Sequence, residues 1–169
     1  MPRLLASALF AAAALLPSAA SGTEKPADAD PRDEVARALD DWHDAAAKAD
    51  EERYFARFAP EGVFLGTDPG ERWTVEAFRA FAKPYFARGK AWSFRARERW
   101  VTLSPGGDVA WFDERLDTPN MGPCRGSGAL RKIGGTWKIA LYDLSIPIPN
   151  DLTKELVKRI AEAPAPRTP

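Results

Sequence analysis

One cysteine, one histidine and no surplus of either charge sign are the scarcities of this chain, and each removes a class of function. With Cys124 alone, no internal disulfide can form even in an oxidising compartment, so stability rests on packing. His43 and Cys124 are too few for a zinc site of nitrogen and sulfur ligands, and no Asp-rich loop has calcium-binding spacing; no metal is expected. The 24 basic residues balance 24 acidic ones. Neither nucleic acid nor an anionic membrane is favoured by that balance. Gly126 and Gly128 lack the Lys-Ser/Thr and helix start of a phosphate loop, so they read as sheet-bending, room-making residues.

What is present begins with an address. Arg3, the apolar run Leu4 to Leu16, Pro17 and the small Ser18, Ala19 and Ala20 have the layout of a secretory signal peptide over residues 1–20. A secreted, periplasmic protein is the expectation, with no membrane span in the mature chain. Residues 21–30 read as a disordered polar linker, 31–162 as one domain, and 163–169 as a disordered tail.

Asp30, Pro31 and Asp33 start a helix with a side-chain cap, a proline at the first position and an acid in the first turn. Val35, Leu39, Trp42, Ala46 and Ala49 recur at helical spacing behind it. A short helix follows over Asp50 to Phe58, then a strand over Val63 to Thr67 that ends at Asp68-Pro-Gly70. Thr74 caps a third helix with Ala77, Phe78, Phe81 and Tyr85 inward. Strands are expected over Trp92 to Ser104, Asp108 to Asp117, Cys124 to Ile133 and Thr136 to Ser145. Asn150 then caps an amphipathic helix carrying Leu152, Leu156 and Ile160. Helices followed by an antiparallel meander point to the α+β class.

Alternation gives the sheet an expected register. A hairpin at Pro105-Gly-Gly107 sets Trp100 opposite Phe112, Glu98 opposite Glu114 and Ala96 opposite Leu116 on one face. Arg95, Arg97 and Arg99 lie with Asp113, Arg115 and Asp117 on the other, which looks solvated. Around Gly134-Gly135, Leu130 pairs with Ile139, Gly128 with Leu141 and Gly126 with Asp143. Two glycines opposite larger residues leave room for a cavity.

The helix with Trp42, Phe58-Ala-Pro-Glu-Gly-Val-Phe-Leu-Gly66, Ala110-Trp-Phe-Asp-Glu114, Arg125-Gly-Ser-Gly128, and Trp137-Lys-Ile139 leading to Ser145-Ile-Pro-Ile-Pro-Asn150 carry a family resemblance. In their order and spacing, over about Asp33 to Ile160, the chain resembles the SnoaL-like branch of the nuclear-transport-factor-2-like superfamily. The resemblance implies a cone: a curved antiparallel sheet wrapped around helices, with a pocket at the open end and a homodimer through the outer sheet. That superfamily includes ketosteroid isomerase, polyketide cyclases, dehydratases and proteins with no chemistry, so fold leaves function open. Where similar sequences often carry Gln and Asn or His on the last strand, Leu141 and Asp143 stand here.

Glu98 and Glu114 are the sharpest candidate pair, since two carboxylates on one apolar face repel and one should hold a proton. The plainer reading pairs them with arginines. Asp143 is a candidate base, or a carboxylate held by Arg125 or the chain exit. His43 sits at the edge of the helical stripe as a candidate acid/base or as a satisfied helix-edge imidazole. Cys124 reads as a small apolar filler. Trp42, His43, Trp73, Trp100, Phe112 and Leu141 are the expected pocket residues, while Trp111 faces outward as a dimer contact. The leading expectation is a domain that binds a small apolar or amphipathic molecule without a cofactor. Its rivals are a cofactor-free isomerase, cyclase or dehydratase and a protein-interaction module.

Overall fold

A computed structural model describes residues 30–164. The expected signal peptide, nearly all of the linker and the last five residues of the tail lie outside the described residues. Helix α1 (Pro31–Ala47) starts where its cap predicts: the Asp30 carboxylate accepts from the Arg32 N–H at 2.9 Å, with Pro31 in the first turn. Its buried stripe is Val35, Ala38, Leu39, Trp42, His43, Ala45 and Ala46. The stripe stops before Ala49, which adopts φ 54° and turns the chain into α2 (Glu51–Ala56). Asp41 on α1 accepts from both Arg53 and Arg57, which fixes the angle between the two helices.

Strand β1 (Phe58–Leu65) leads to the short β2 (Arg72–Thr74) and, capped by the Thr74 hydroxyl, to α3 (Val75–Ala87). The inner side of α3 is Phe78, Ala82 and Phe86; Ala77 is exposed, and Phe81 and Tyr85 are more than a third exposed, a rotation by one residue position from the expected face. Four long strands follow: β3 (Arg95–Leu103), β4 (Val109–Asp117), β5 (Cys124–Ile133) and β6 (Thr136–Ser145). They form an antiparallel meander inside one six-stranded sheet of order β2-β1-β6-β5-β4-β3. The β1–β6 pair runs parallel, so the α+β sheet is mixed and remains open at its edges. A single helical turn (Asn150–Leu152) precedes α4 (Thr153–Glu162), none of which is buried. Among the described residues, no helix is long and apolar enough to cross a membrane.

The concave face of the sheet wraps the helices around an aromatic core. Tyr54, Phe55, Phe58, Phe78 and Phe86 meet there, with ring centroids 5.0–6.3 Å apart in the contacting pairs. Offset and edge-on rings of this kind add to the stabilisation that their buried area already supplies.

Two bulges decide which side chains reach that interior. Ala96 faces Leu116, yet Glu98 faces Arg115 and Arg99 faces Glu114, so Arg97 is an extra residue in β3. Leu130 faces Ile139, yet Ala129 faces Leu141, which makes Ala140 extra in β6. One inserted residue sends every following side chain to the opposite face. The expected partners Glu98–Glu114, Trp100–Phe112, Gly128–Leu141 and Gly126–Asp143 are therefore replaced by Arg99–Glu114, Val101–Phe112, Gly128–Tyr142 and Gly126–Leu144.

Candidate functional site

Inside the cone, Glu114 is fully buried and every oxygen of its carboxylate is engaged. Its Oε1 accepts from His43 Nε2 and from the Tyr142 hydroxyl, both at 2.8 Å. Its Oε2 accepts from Arg99 Nε at 2.7 Å. Arg99 continues the chain of contacts to α1, donating to the Ala36 carbonyl at 3.0 Å and pairing with Asp40 at 2.8 Å. Ala36, Asp40 and His43 stand one and two helical turns apart, so a single face of α1 presents all three. The network thus joins α1, β3, β4 and β6 around one carboxylate.

Burial alone would favour the neutral acid, but the hydrogen bond from His43, the Arg99 guanidinium and the Tyr142 hydroxyl outweigh it and hold the Glu114 carboxyl below its ordinary range. The Tyr142 hydroxyl is pushed well above its ordinary range by burial and by the Glu114 charge, so it remains a donor. An ionised carboxylate only accepts, which makes His43 Nε2 the proton-bearing nitrogen of the neutral ring and leaves the lone pair on Nδ1. Nδ1 has no hydrogen-bond partner among the described residues.

Next to this network lies a cavity of about 180 Å³. Trp42, His43, Tyr54 and Tyr142 form its floor and Phe64, Trp73, Phe78, Trp92 and Phe94 its walls; Gly66, Thr67, Glu71, Phe81, Met121 and Leu144 complete the lining. Phe64 and Phe78 stack with centroids 4.2 Å apart, and Trp73 leans on Phe81 at 4.8 Å, which preforms the walls. Thr67 and Phe81 are exposed and mark the mouth.

The expected site residues divide between the two faces. Trp42, His43 and Trp73 line the cavity, with Glu114 directly behind His43 and Tyr142. Phe112 is buried but stands behind Tyr142, its ring centroid 5.7 Å away, and does not line the cavity. Glu98 corrects to the outer face, where it pairs with Arg115 at 2.9 Å, because the Arg97 bulge turns it outward. The same slip places Trp100 outside, 49% exposed with the Arg115 guanidinium over its ring. Past the Ala140 bulge, Leu141 also points out, and Asp143 lines a separate outer groove with Ile146, Ile148 and Leu156. Arg125 is exposed and makes no ion pair with Asp143 or Glu114 among the described residues. Cys124 is a buried thiol that burial pushes up, away from nucleophilic character.

Arg99 and Tyr142 are the functional residues that strand alternation missed. The available signal was Gly126: a Cβ there would stand 2.2 Å from the Tyr142 hydroxyl, so the glycine makes room for a tyrosine on the neighbouring strand. That room is filled from within the chain. Among the described residues, no three His, Cys, Asp or Glu side chains cluster closely enough to hold a metal ion.

The fold agrees with what known proteins share with this chain. The SnoaL-like domain matches residues 35–149, most of the described fold. This chain belongs to the SnoaL-like family. Solved structures place the SnoaL-like domain within the nuclear-transport-factor-2-like fold. An NTF2-like protein of unknown function from Pseudomonas putida matches with a TM-score of 0.58 and 17% identity, over 71% of this chain and 89% of that one. A cystatin-like fold protein from Burkholderia xenovorans matches with a TM-score of 0.57 and 24% identity, over 72% and 96% of the respective chains. At such identities the likeness extends to the fold alone. A comparison with curated proteins finds no match.

Proposed function

We propose that this SnoaL-like domain is a binding domain for a small apolar or amphipathic molecule, exported to the periplasm and working as a homodimer. One observation carries the ligand: a cavity of about 180 Å³ whose walls are aromatic rings and whose floor holds a single imidazole. Apolar cavities of about 150 Å³ accept a benzene ring, so one or two rings are the size limit. Export is supported by the apolar segment Leu4 to Leu16 after Arg3. The dimer is supported by Trp100 and Trp111, each about half exposed on the outer sheet face.

Indole is a suitable probe. Titration followed by tryptophan fluorescence or calorimetry is expected to show one saturable site. Met121→Trp, which adds bulk at the lining, is expected to weaken indole binding by about tenfold or more, the worth of roughly one lost ring contact. Undiminished binding to a correctly folded Met121→Trp protein would place the ligand elsewhere.

A second reading has its own observation, the 2.8 Å bond from His43 Nε2 to the buried Glu114 carboxylate. A carboxylate behind an imidazole fixes its tautomer and steadies the imidazolium formed when the other nitrogen takes a proton. His43 Nδ1 would then accept a proton from carbon beside a ligand carbonyl and return it to a neighbouring position. Glu114 touches no ligand and acts as a positioning residue. The test is hydrogen-deuterium exchange at the α-carbons of 2-indanone, followed by NMR in deuterium oxide. Protein-dependent exchange should fall about 100-fold or more in His43→Gln, the usual worth of a positioned base. No acceleration by the wild-type protein removes the enzymatic reading and leaves the binding one.

A further inference from the structure

We infer that the cavity is selective for a cation, specifically a methylated ammonium group; the inference rests on the binding reading above and names its ligand class. The lining is rich in aromatic rings and, among the described residues, contains no lysine or arginine. Among the described residues, the chain places its own cations over rings elsewhere. Arg79 covers Phe55, Arg88 covers Tyr85, Arg115 covers Trp100 and Lys132 covers Trp137, and none of those rings lines the cavity. The lining rings keep their negative faces free of the protein's own charges, as a ligand cation requires.

Glu71 supplies the second element. Among the described residues it is the only carboxylate in the lining. Its Oε2 accepts from the Asp68 N–H at 3.2 Å, and no lysine, arginine or histidine pairs with it among the described residues. The carboxylate folds over Gly66, where a Cβ would stand 2.0 Å from Oε2, so the glycine permits this placement at the cavity wall. Behind the floor, the two carboxylates of Glu114 and Asp40 oppose the single guanidinium of Arg99.

The form of the cation follows from what the walls lack. A primary ammonium or a guanidinium has three or five N–H groups to satisfy, and aromatic walls offer few acceptors. A trimethylammonium group has none, is weakly hydrated and presents a surface that rings can cover on all sides. It is similar in bulk to a benzene ring and fits a cavity of about 180 Å³.

Choline and its uncharged isostere 3,3-dimethylbutan-1-ol separate charge from shape. Calorimetry or tryptophan fluorescence is expected to show choline bound about tenfold more tightly than the alcohol, the range of a desolvated cation over aromatic faces. Glu71→Gln should cut the choline advantage to about threefold while leaving the alcohol unchanged, as expected for loss of one charge at a partly solvated wall. Equal affinities, or a preference for the alcohol, would overturn the inference. So would indole binding without any choline binding, and in that case the cavity reading survives. If neither choline nor indole binds, both fall. Co-sedimentation with dioleoylphosphatidylcholine vesicles distinguishes the source: pelleting with vesicles that choline competes away indicates a lipid headgroup, whereas choline binding without pelleting indicates a free ammonium compound. Both outcomes support the cation.

Discussion

Glu114→Ala is expected to cost about 3–5 kcal/mol of folding stability, the usual penalty for leaving one half of a buried ion pair behind. The Arg99 side chain is 9% exposed and bonds Glu114 through Nε, so without the carboxylate its compensation falls to Asp40, which is itself largely in water. His43 and Tyr142 would lose their shared acceptor at the same time. Urea unfolding at neutral pH reads the loss directly, and a change below about 1 kcal/mol would mean that the network is not a stabilising unit.

Acid provides an independent arm of the same prediction. The folded-state carboxyl of Glu114 lies below its ordinary value of 4.5, so its contribution is present above that value and is lost as pH falls through the folded one. Wild-type stability should therefore drop more steeply than that of Glu114→Gln below the ordinary carboxylate range. Asp41 and Asp44 are also held low by their arginine and lysine partners, but both proteins retain them. The difference between the two curves isolates Glu114.

Much of the framework was legible because it obeys local rules. Asp30 and Pro31 start α1, Thr74 starts α3, and Ala110, Phe112, Glu114 and Leu116 alternate inward along β4. The two bulges were not legible, since an inserted Arg97 or Ala140 has no residue type that sets it apart. Their positions answer to non-local contacts. Arg97 as the extra residue lets Arg99 reach Glu114, and Ala140 as the extra residue lets Tyr142 reach the same carboxylate. Counting by twos along each strand therefore identified Glu114 and put Glu98 and Asp143 beside it in place of Arg99 and Tyr142. The parallel β1–β6 pairing is equally non-local: it joins residues that begin and end the domain's sheet.

Gly126→Ala tests that view of the bulged strand pair. Its added methyl would stand 2.2 Å from the Tyr142 hydroxyl and 2.9 Å from Glu114 Oε1, inside the network itself. Neither atom can retreat freely, because each is the other's hydrogen-bond partner and both are fully enclosed. Overpacking of an enclosed site costs about 1–3 kcal/mol, and the upper end is expected here because a buried charge must also shift. Tyr142→Phe removes the nearest obstacle, although the ring carbon at 2.8 Å still crowds the methyl. In the Tyr142→Phe background, Gly126→Ala should therefore cost less, by a coupling of about 1 kcal/mol or more, as contacting residues usually show. Strict additivity of the two substitutions in urea unfolding would mean that the glycine does not make room for the tyrosine. The paired glycines would then return to their simpler role of bending the sheet, and the hydroxyl's route to Glu114 would need another explanation.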